Sequence, residues 1–347
     1  VLPGGPAEAA LPIGPEPASQ WPPLSPDKLA VFRAGPEDPP PANLDAVKAE
    51  MEGNHFLASD ELRLDLFYAS LRDLGGGFVG VGTDQCYLFA GWMNAELVWL
   101  SDYDPWVKAL HQVYLLLFRE APNADDFLAR WTKSRADEVR ALIDQHFSAD
   151  PDLALIHKVF AKARVQVYQR LRYTQKMCRR ANVPCFVTDP AQYTRVRDLA
   201  LAGRMRPIVG NLLGTVGLRA VGDAARSLGV PVRVLYVSNA ESYWSYGDAY
   251  RQNVASLPYD ERSLVVRTKP TKPKNADYAY SVQSAQLFAR WLALPSVKNI
   301  RQVWPYQAVR GPDHFPWAVL TAEPPALPKE AEEGAASPGQ VLQEGQP

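Results

Sequence analysis

Short apolar runs alternate with amphipathic helical segments through the middle of this chain, the pattern that a parallel sheet covered by helices on both faces requires. An amphipathic stretch over Ser59–Leu74 stops at Gly75-Gly76-Gly77 and leads into an apolar strand over Phe78–Val81. A helix over Asp84–Asn94, a strand over Leu97–Leu100 ending at Ser101-Asp102, and a helix opened by Asp104-Pro105 complete one βαβ unit. Further strands are expected at Cys185–Thr188, Arg206–Val209, Val232–Val237 and Leu264–Arg267, with helices at Pro190–Ala202, Gly217–Leu228 and Ser281–Leu294. Ile300–Trp304 and Phe315–Thr321, separated by a Gly311-Pro312-Asp313 turn, read as an antiparallel pair at the sheet's end. The expected fold class is α/β, a doubly wound, mostly parallel sheet with an antiparallel C-terminal strand pair.

Of the 31 prolines, 12 lie in residues 1–41, a stretch without apolar periodicity. Such a composition buries too little surface to offset its ordering entropy, so residues 1–42 are expected to be a disordered leader and 323–347 a disordered tail. The folded domain then spans 43–322, with a helical insertion at about 119–182 overhanging the sheet. The last helix of that insertion, residues 157–180, carries eight Lys or Arg residues and no acid, opposite a stripe of Val159, Ala163, Val167, Leu171, Thr174 and Cys178. It reads either as a contact for a polyanion or as an ordinary solvated face.

A formal net charge of -1, from 37 basic and 38 acidic residues, argues against wholesale coating of nucleic acid. No stretch approaches the run of roughly 18 apolar residues that spans a bilayer. Cys86, Cys178 and Cys185 are too few and too widely spaced for a zinc motif, and the five histidines are scattered, so no metal is expected. Cys178 and Cys185 are read as two free thiols, or as a bridge in an oxidising compartment. The chain begins at Val1 and not at Met, so a removed segment is expected, and the proline-rich leader favours an exported or lipid-anchored protein of the cell envelope over a cytoplasmic one.

Gly80-Val81-Gly82 follows a strand and precedes a helix, where glycines let the backbone approach a ligand closely. Asp102 stands twenty residues after Gly82, at the end of the second strand, where a carboxylate can accept both hydroxyls of an adenosine ribose. The structural alternative is a tight turn at the glycines, with Asp102 or Asp104 capping the next helix. The stretch Gly77-Phe78-Val79-Gly80-Val81-Gly82-Thr83-Asp84-Gln85, taken with Leu97-Val98-Trp99-Leu100-Ser101-Asp102-Tyr103-Asp104-Pro105, resembles the first two strands of class I S-adenosylmethionine-dependent methyltransferases. The likeness extends to an uncharacterised bacterial group with a Gly-Val-Gly-x-Asp-Gln turn and a later Ser-Asn-Ala-Glu segment, here Ser238-Asn239-Ala240-Glu241.

The resemblance implies a Rossmann-like fold, with Gly80 and Gly82 under the methionine part of S-adenosylmethionine and Asp102 on its ribose. Two departures stand out: Phe78 occupies a place often acidic in such enzymes, and Gln85 that of a third glycine. Asp84, Gln85, Asn239 and Glu241 complete the expected cofactor set, and Asn211, Asp84 and Tyr243 the groups expected at the reacting atoms. Asn211 can only hydrogen-bond, and Tyr243 with Trp244 offers a stacking wall. Methyl transfer to a small or lipid-like acceptor leads the readings. A non-catalytic, methyltransferase-like binding module of the envelope is the alternative, and a nicotinamide-dependent oxidoreductase, weakened by the missing third glycine, comes third.

Overall fold

The computed structural model describes residues 21–41, 44, 53–271, 278–305 and 317–326. In chain order these form α1 (Pro26–Arg33), a 3-10 turn at Leu64–Phe67 running into α2 (Tyr68–Leu71), β1 (Gly77–Gly80), α3 (Asp84–Met93), β2 (Leu97–Asp102) and α4 (Pro105–Glu120). The helical insertion follows as α5 (Ala124–Ala129), α6 (Ala136–Phe147) and α7 (Leu153–Ala181). Then come α8 (Pro190–Leu201), β3 (Met205–Val209), α9 (Gly217–Leu228), β4 (Val232–Ser238), α10 (Asp248–Ala255) and β5 (Leu264–Pro270). The last elements are β6 (Tyr278–Ser284), α11 (Ala285–Leu292), α12 (Ile300–Val303) and β7 (Trp317–Leu320).

The seven strands lie in the order β3-β2-β1-β4-β5-β6-β7. The first five are parallel, β6 is antiparallel to β5, and β7 is parallel to β6. This is an α/β fold with a largely parallel central sheet of Rossmann-like topology. Period-2 alternation sends Phe78 and Val79 to opposite faces of β1, Phe78 into the core under α3, α4 and α7 and Val79 into the core under α1, α9 and α11. Burial on both faces explains why these strands read as continuous apolar runs.

Four expected elements come out differently. Cys185–Thr188 is a turn, closed by Thr188 N–H on the Cys185 carbonyl at 2.9 Å, and it feeds α8, whose start is capped by the Asp189 side chain. A four-residue apolar run satisfies a strand pattern and a buried turn equally well. Ile300–Val303 is a helix because Asn299 caps it, and the antiparallel pairing at the sheet's end is between β5 and β6. The Gly311-Pro312-Asp313 turn lies outside the described residues. Ser281–Leu294 is half strand, and Ser284 ends β6 while capping α11. Of Ser59–Leu74, only Leu64–Leu71 is helical.

The leader also departs from expectation between residues 26 and 38. Phe32 of α1 is fully buried against Trp99, and Arg206 donates to the carbonyls of Phe32, Ala34 and Gly35. Asp38, itself buried, accepts the N–H groups of Asn211 (2.9 Å) and Val216 (3.2 Å), so this stretch closes the loop after β3 instead of hanging free. Cys178 and Cys185 are free, buried thiols. No described helix is long and apolar enough to cross a membrane, and no described cluster of His, Cys, Asp and Glu has the form of a metal site.

Candidate functional site

Successive crossovers carry the chain outward from β1 through β2 to β3 and then back to β4 on β1's other side, which opens a crevice beyond the strand ends. A cavity of about 360 Å³ fills it. One side is built from Gly82, Asp102, Tyr103 and the Gly210–Leu213 loop, the other from Ser238–Ala240, Tyr243, Trp244 and Tyr278, and residues 58–61 with Phe56 line it as well. Register explains the convergence, since Gly80 pairs with Tyr236 and Asp102 with Val209, leaving the next residue of each strand at the same edge.

Gly82 sits at φ +83°, in the left-handed region, and a Cβ there would meet the Gln85 amide at 2.3 Å, so the turn requires glycine. Its peptide groups are held from both sides. The Gly82 N–H donates to Asp102 Oδ2 at 2.9 Å, and the Gly82 carbonyl accepts from His111 Nε2 at 2.8 Å. A carbonyl only accepts, so His111 carries its proton on Nε2, and Nδ1 takes the Tyr87 hydroxyl at 2.8 Å. Burial lowers the His111 pKa to about 4 and keeps the ring neutral.

Because His111 has a folded pKa below its unfolded value, its contribution to stability is present above about pH 6.5 and is lost as pH falls toward 4. His111→Gln keeps a donor but no titrating group. Urea denaturation is expected to show the variant about 1 kcal/mol less stable than wild type at pH 7 and the order reversed by pH 4.5, where uptake of a proton on unfolding costs the wild type about 2–3 kcal/mol. An equal gap at both pH values would contradict this assignment.

Of the two acids considered as caps for the helix after β2, Asp104 is the one that caps it. Asp104 caps α4 through Trp106 N–H and pairs with His55 Nδ1 at 2.8 Å, and the His55 ring stacks on Trp106 at 3.8 Å. Asp102 faces the cavity, one oxygen on Gly82 N–H and the other on Asp104 N–H at 3.0 Å. Burial raises its pKa to about 6, against the lowering effect of those backbone bonds.

Of the remaining expected residues, Gln85, Asn211, Asn239 and Tyr243 line the cavity. The Gln85 side chain accepts Thr83 N–H at 3.0 Å, and Asn211 Oδ1 is occupied by Leu213 N–H at 2.9 Å. Gly80 lies behind the cavity, where a Cβ would strike the Phe78 ring at 2.4 Å, so the Phe78 departure and the glycine belong together. Asp84 is turned away from it, bound by Arg170 Nε and Ser59 N–H at 2.8 Å each. Glu241 is also turned inward, to Arg267, Tyr246 and Tyr250.

Glu61, which sequence reasoning missed, is a buried carboxylate at the cavity wall. It accepts hydroxyls from Tyr236 (2.6 Å), Ser59 (2.8 Å), Thr268 (2.8 Å) and Ser238 (3.0 Å). Burial raises its pKa, and the hydroxyls of Tyr236, Ser59 and Thr268 and the charge of Arg170 act in the opposite direction. Ser238 holds φ +51° where the β4–β5 register shifts, an unusual conformation for serine at the cavity's edge. In the sequence Glu61 falls within the amphipathic stretch over Ser59–Leu74, where nothing sets it apart.

No curated protein shows a significant match to the chain. The family described as Domain of unknown function (DUF7790) matches residues 56–313. That span holds β1 to β6 and every residue named above as lining the cavity, and the chain belongs to this family.

Proposed function

We propose that the cavity binds S-adenosylmethionine and that the protein is a methyltransferase acting on a small or lipid-like acceptor. The observation that carries this reading is the Asp102 carboxylate, open to a cavity at the strand-order switch point and tied to the glycine turn. A carboxylate has about four lone-pair sites, and two are used by Gly82 and Asp104, so two remain for ribose hydroxyls. Tyr103, Leu212 and Leu213 supply apolar surface on the same side for an adenine ring. Among the described lining residues there is no Lys, Arg or His, and the Gly82 N–H is already given to Asp102. A pyrophosphate would find little to neutralise it, which disfavours a dinucleotide, whereas a cofactor that carries positive charge suits the acidic lining.

When bound, S-adenosylmethionine supplies an activated methyl group. The chain's part is alignment and exclusion of water, for which no general base is needed. Asn211 and Asn239 offer hydrogen bonds, and Tyr243 offers a flat wall.

Titration calorimetry is expected to show S-adenosylmethionine and S-adenosylhomocysteine binding to the wild type. Asp102→Ala should weaken both by roughly tenfold to a hundredfold, because it removes the ribose acceptor and frees the Gly82 turn. Affinity should also fall as pH drops through about 6, where Asp102 takes up its proton. If neither compound binds the folded wild type, the methyltransferase reading fails and the non-catalytic binding module replaces it.

A further inference from the structure

The cavity wall formed by residues 59–61, Ser238–Tyr243 and Tyr278 has an unusual hydrogen-bonding polarity. Glu61 takes the proton of the Ser59 hydroxyl at 2.8 Å and of the Ser238 hydroxyl at 3.0 Å, and both serines line the cavity. A hydroxyl whose proton is committed to a buried carboxylate has only lone pairs left to offer. The same holds at Tyr278, whose hydroxyl donates to Asp60 Oδ2 at 2.8 Å while Asn239 Nδ2 donates to the Tyr278 oxygen at 3.4 Å. Ser59, Ser238 and Asp60 therefore present acceptors and a carboxylate on this wall, with the rings of Phe56, Tyr243 and Tyr278 lining the same cavity.

Acceptors, negative charge and aromatic rings together select a ligand that is all donor and positively charged. We infer that this end of the cavity takes an aliphatic ammonium group, so that the second ligand, the substrate if the cofactor reading above holds, is an amine. Asp60 is its counter-ion, and Ser59 and Ser238 accept its N–H groups. The inference deepens the cofactor reading and rests on it only for the word substrate, because the polarity of the wall is a property of the chain alone.

The test is calorimetry on the full chain with n-butylammonium and with 1-butanol, which has the same number of heavy atoms and no charge. Each is titrated with and without saturating S-adenosylhomocysteine. Butylammonium is expected to bind about tenfold or more tightly than butanol, to weaken about fivefold in Asp60→Asn, and to weaken as salt is raised. Asp60 is exposed, so the variant is expected to fold. Equal binding of butanol, or indifference to Asp60→Asn, overturns the inference. Displacement of butylammonium by S-adenosylhomocysteine assigns the wall to the cofactor's own amino group and overturns the amine substrate. If butylammonium binds as described and S-adenosylhomocysteine does not bind, the ammonium site stands and the cofactor reading falls.

Discussion

Replacing Arg170 by methionine is expected to destabilise the protein by about 3–5 kcal/mol, while Lys176→Ala on the same helix leaves stability unchanged within error. The contrast comes from where the two cations sit. Lys176 is exposed, and none of the ion pairs among the described residues involves it. The Arg170 side chain is 5% exposed, and Nε holds Asp84 at 2.8 Å while Nη1 holds the Glu61 carbonyl at 2.7 Å. Removing the guanidinium leaves the Asp84 carboxylate buried without its cation, which is the costly way to break such a pair. The consequence extends to the cavity, because Asp84 also anchors Ser59 N–H and so fixes the start of the Ser59–Glu61 wall. Urea denaturation and butylammonium calorimetry should therefore both respond in Arg170→Met, and Asp84→Asn combined with Arg170→Met should lose less stability than Arg170→Met alone. A loss under about 1 kcal/mol would mean that α7 does not brace the site through this residue.

What could be read from the sequence follows from the range of the interactions involved. β1, the glycine turn, α3 and β2 are set by neighbours within a few residues of each other, and their pattern survives in the one-dimensional chain. Asp102 was readable for the same reason, since its distance from Gly82 is the length of one βα unit. Glu61 was not, because its hydroxyl partners Tyr236, Ser238 and Thr268 are 175, 177 and 207 residues away. Nor was the inward turn of Asp84, whose partner Arg170 lies 86 residues on and sits among exposed cations that make the whole helix look solvated. Proline content misled at α1 because composition averages over forty residues, while docking depends on single side chains such as Phe32 and Asp38. The residue types of Ser238–Trp244 suggest a site, and Asn239, Tyr243 and Trp244 do line the cavity, but the carboxylate of Glu241 faces the other way.

That carboxylate, Glu241, carries the second large effect. Arg267→Met and Glu241→Gln are each expected to destabilise the fold by about 3–5 kcal/mol, and the double variant by clearly less than their sum. Arg267 and Glu241 are 1% and 2% exposed in their side chains and meet at 2.6 Å. Glu241 Oε1 takes the hydroxyls of Tyr246 and Tyr250 at 2.8 Å each, and Arg267 Nη1 reaches the Gln283 side chain at 2.7 Å while its guanidinium lies over Phe288. Either single change strands a buried group in a low-dielectric core; the double change removes both charges together. The network clamps the turn at Ala240–Ser242 onto β5, and that turn sets where Asn239 and Tyr243 meet the cavity. Ligand affinity should therefore drop in the single variants even at temperatures where they remain folded, and should partly return in the double variant, where the turn packs on neutral side chains. If Glu241 instead touched the cofactor, Glu241→Gln would weaken binding with little change in the denaturation midpoint, and Arg267→Met would not restore it. Paired denaturation and calorimetry on the three variants separate these outcomes, because an anchoring residue moves stability and affinity together while a ligand-binding residue moves affinity alone.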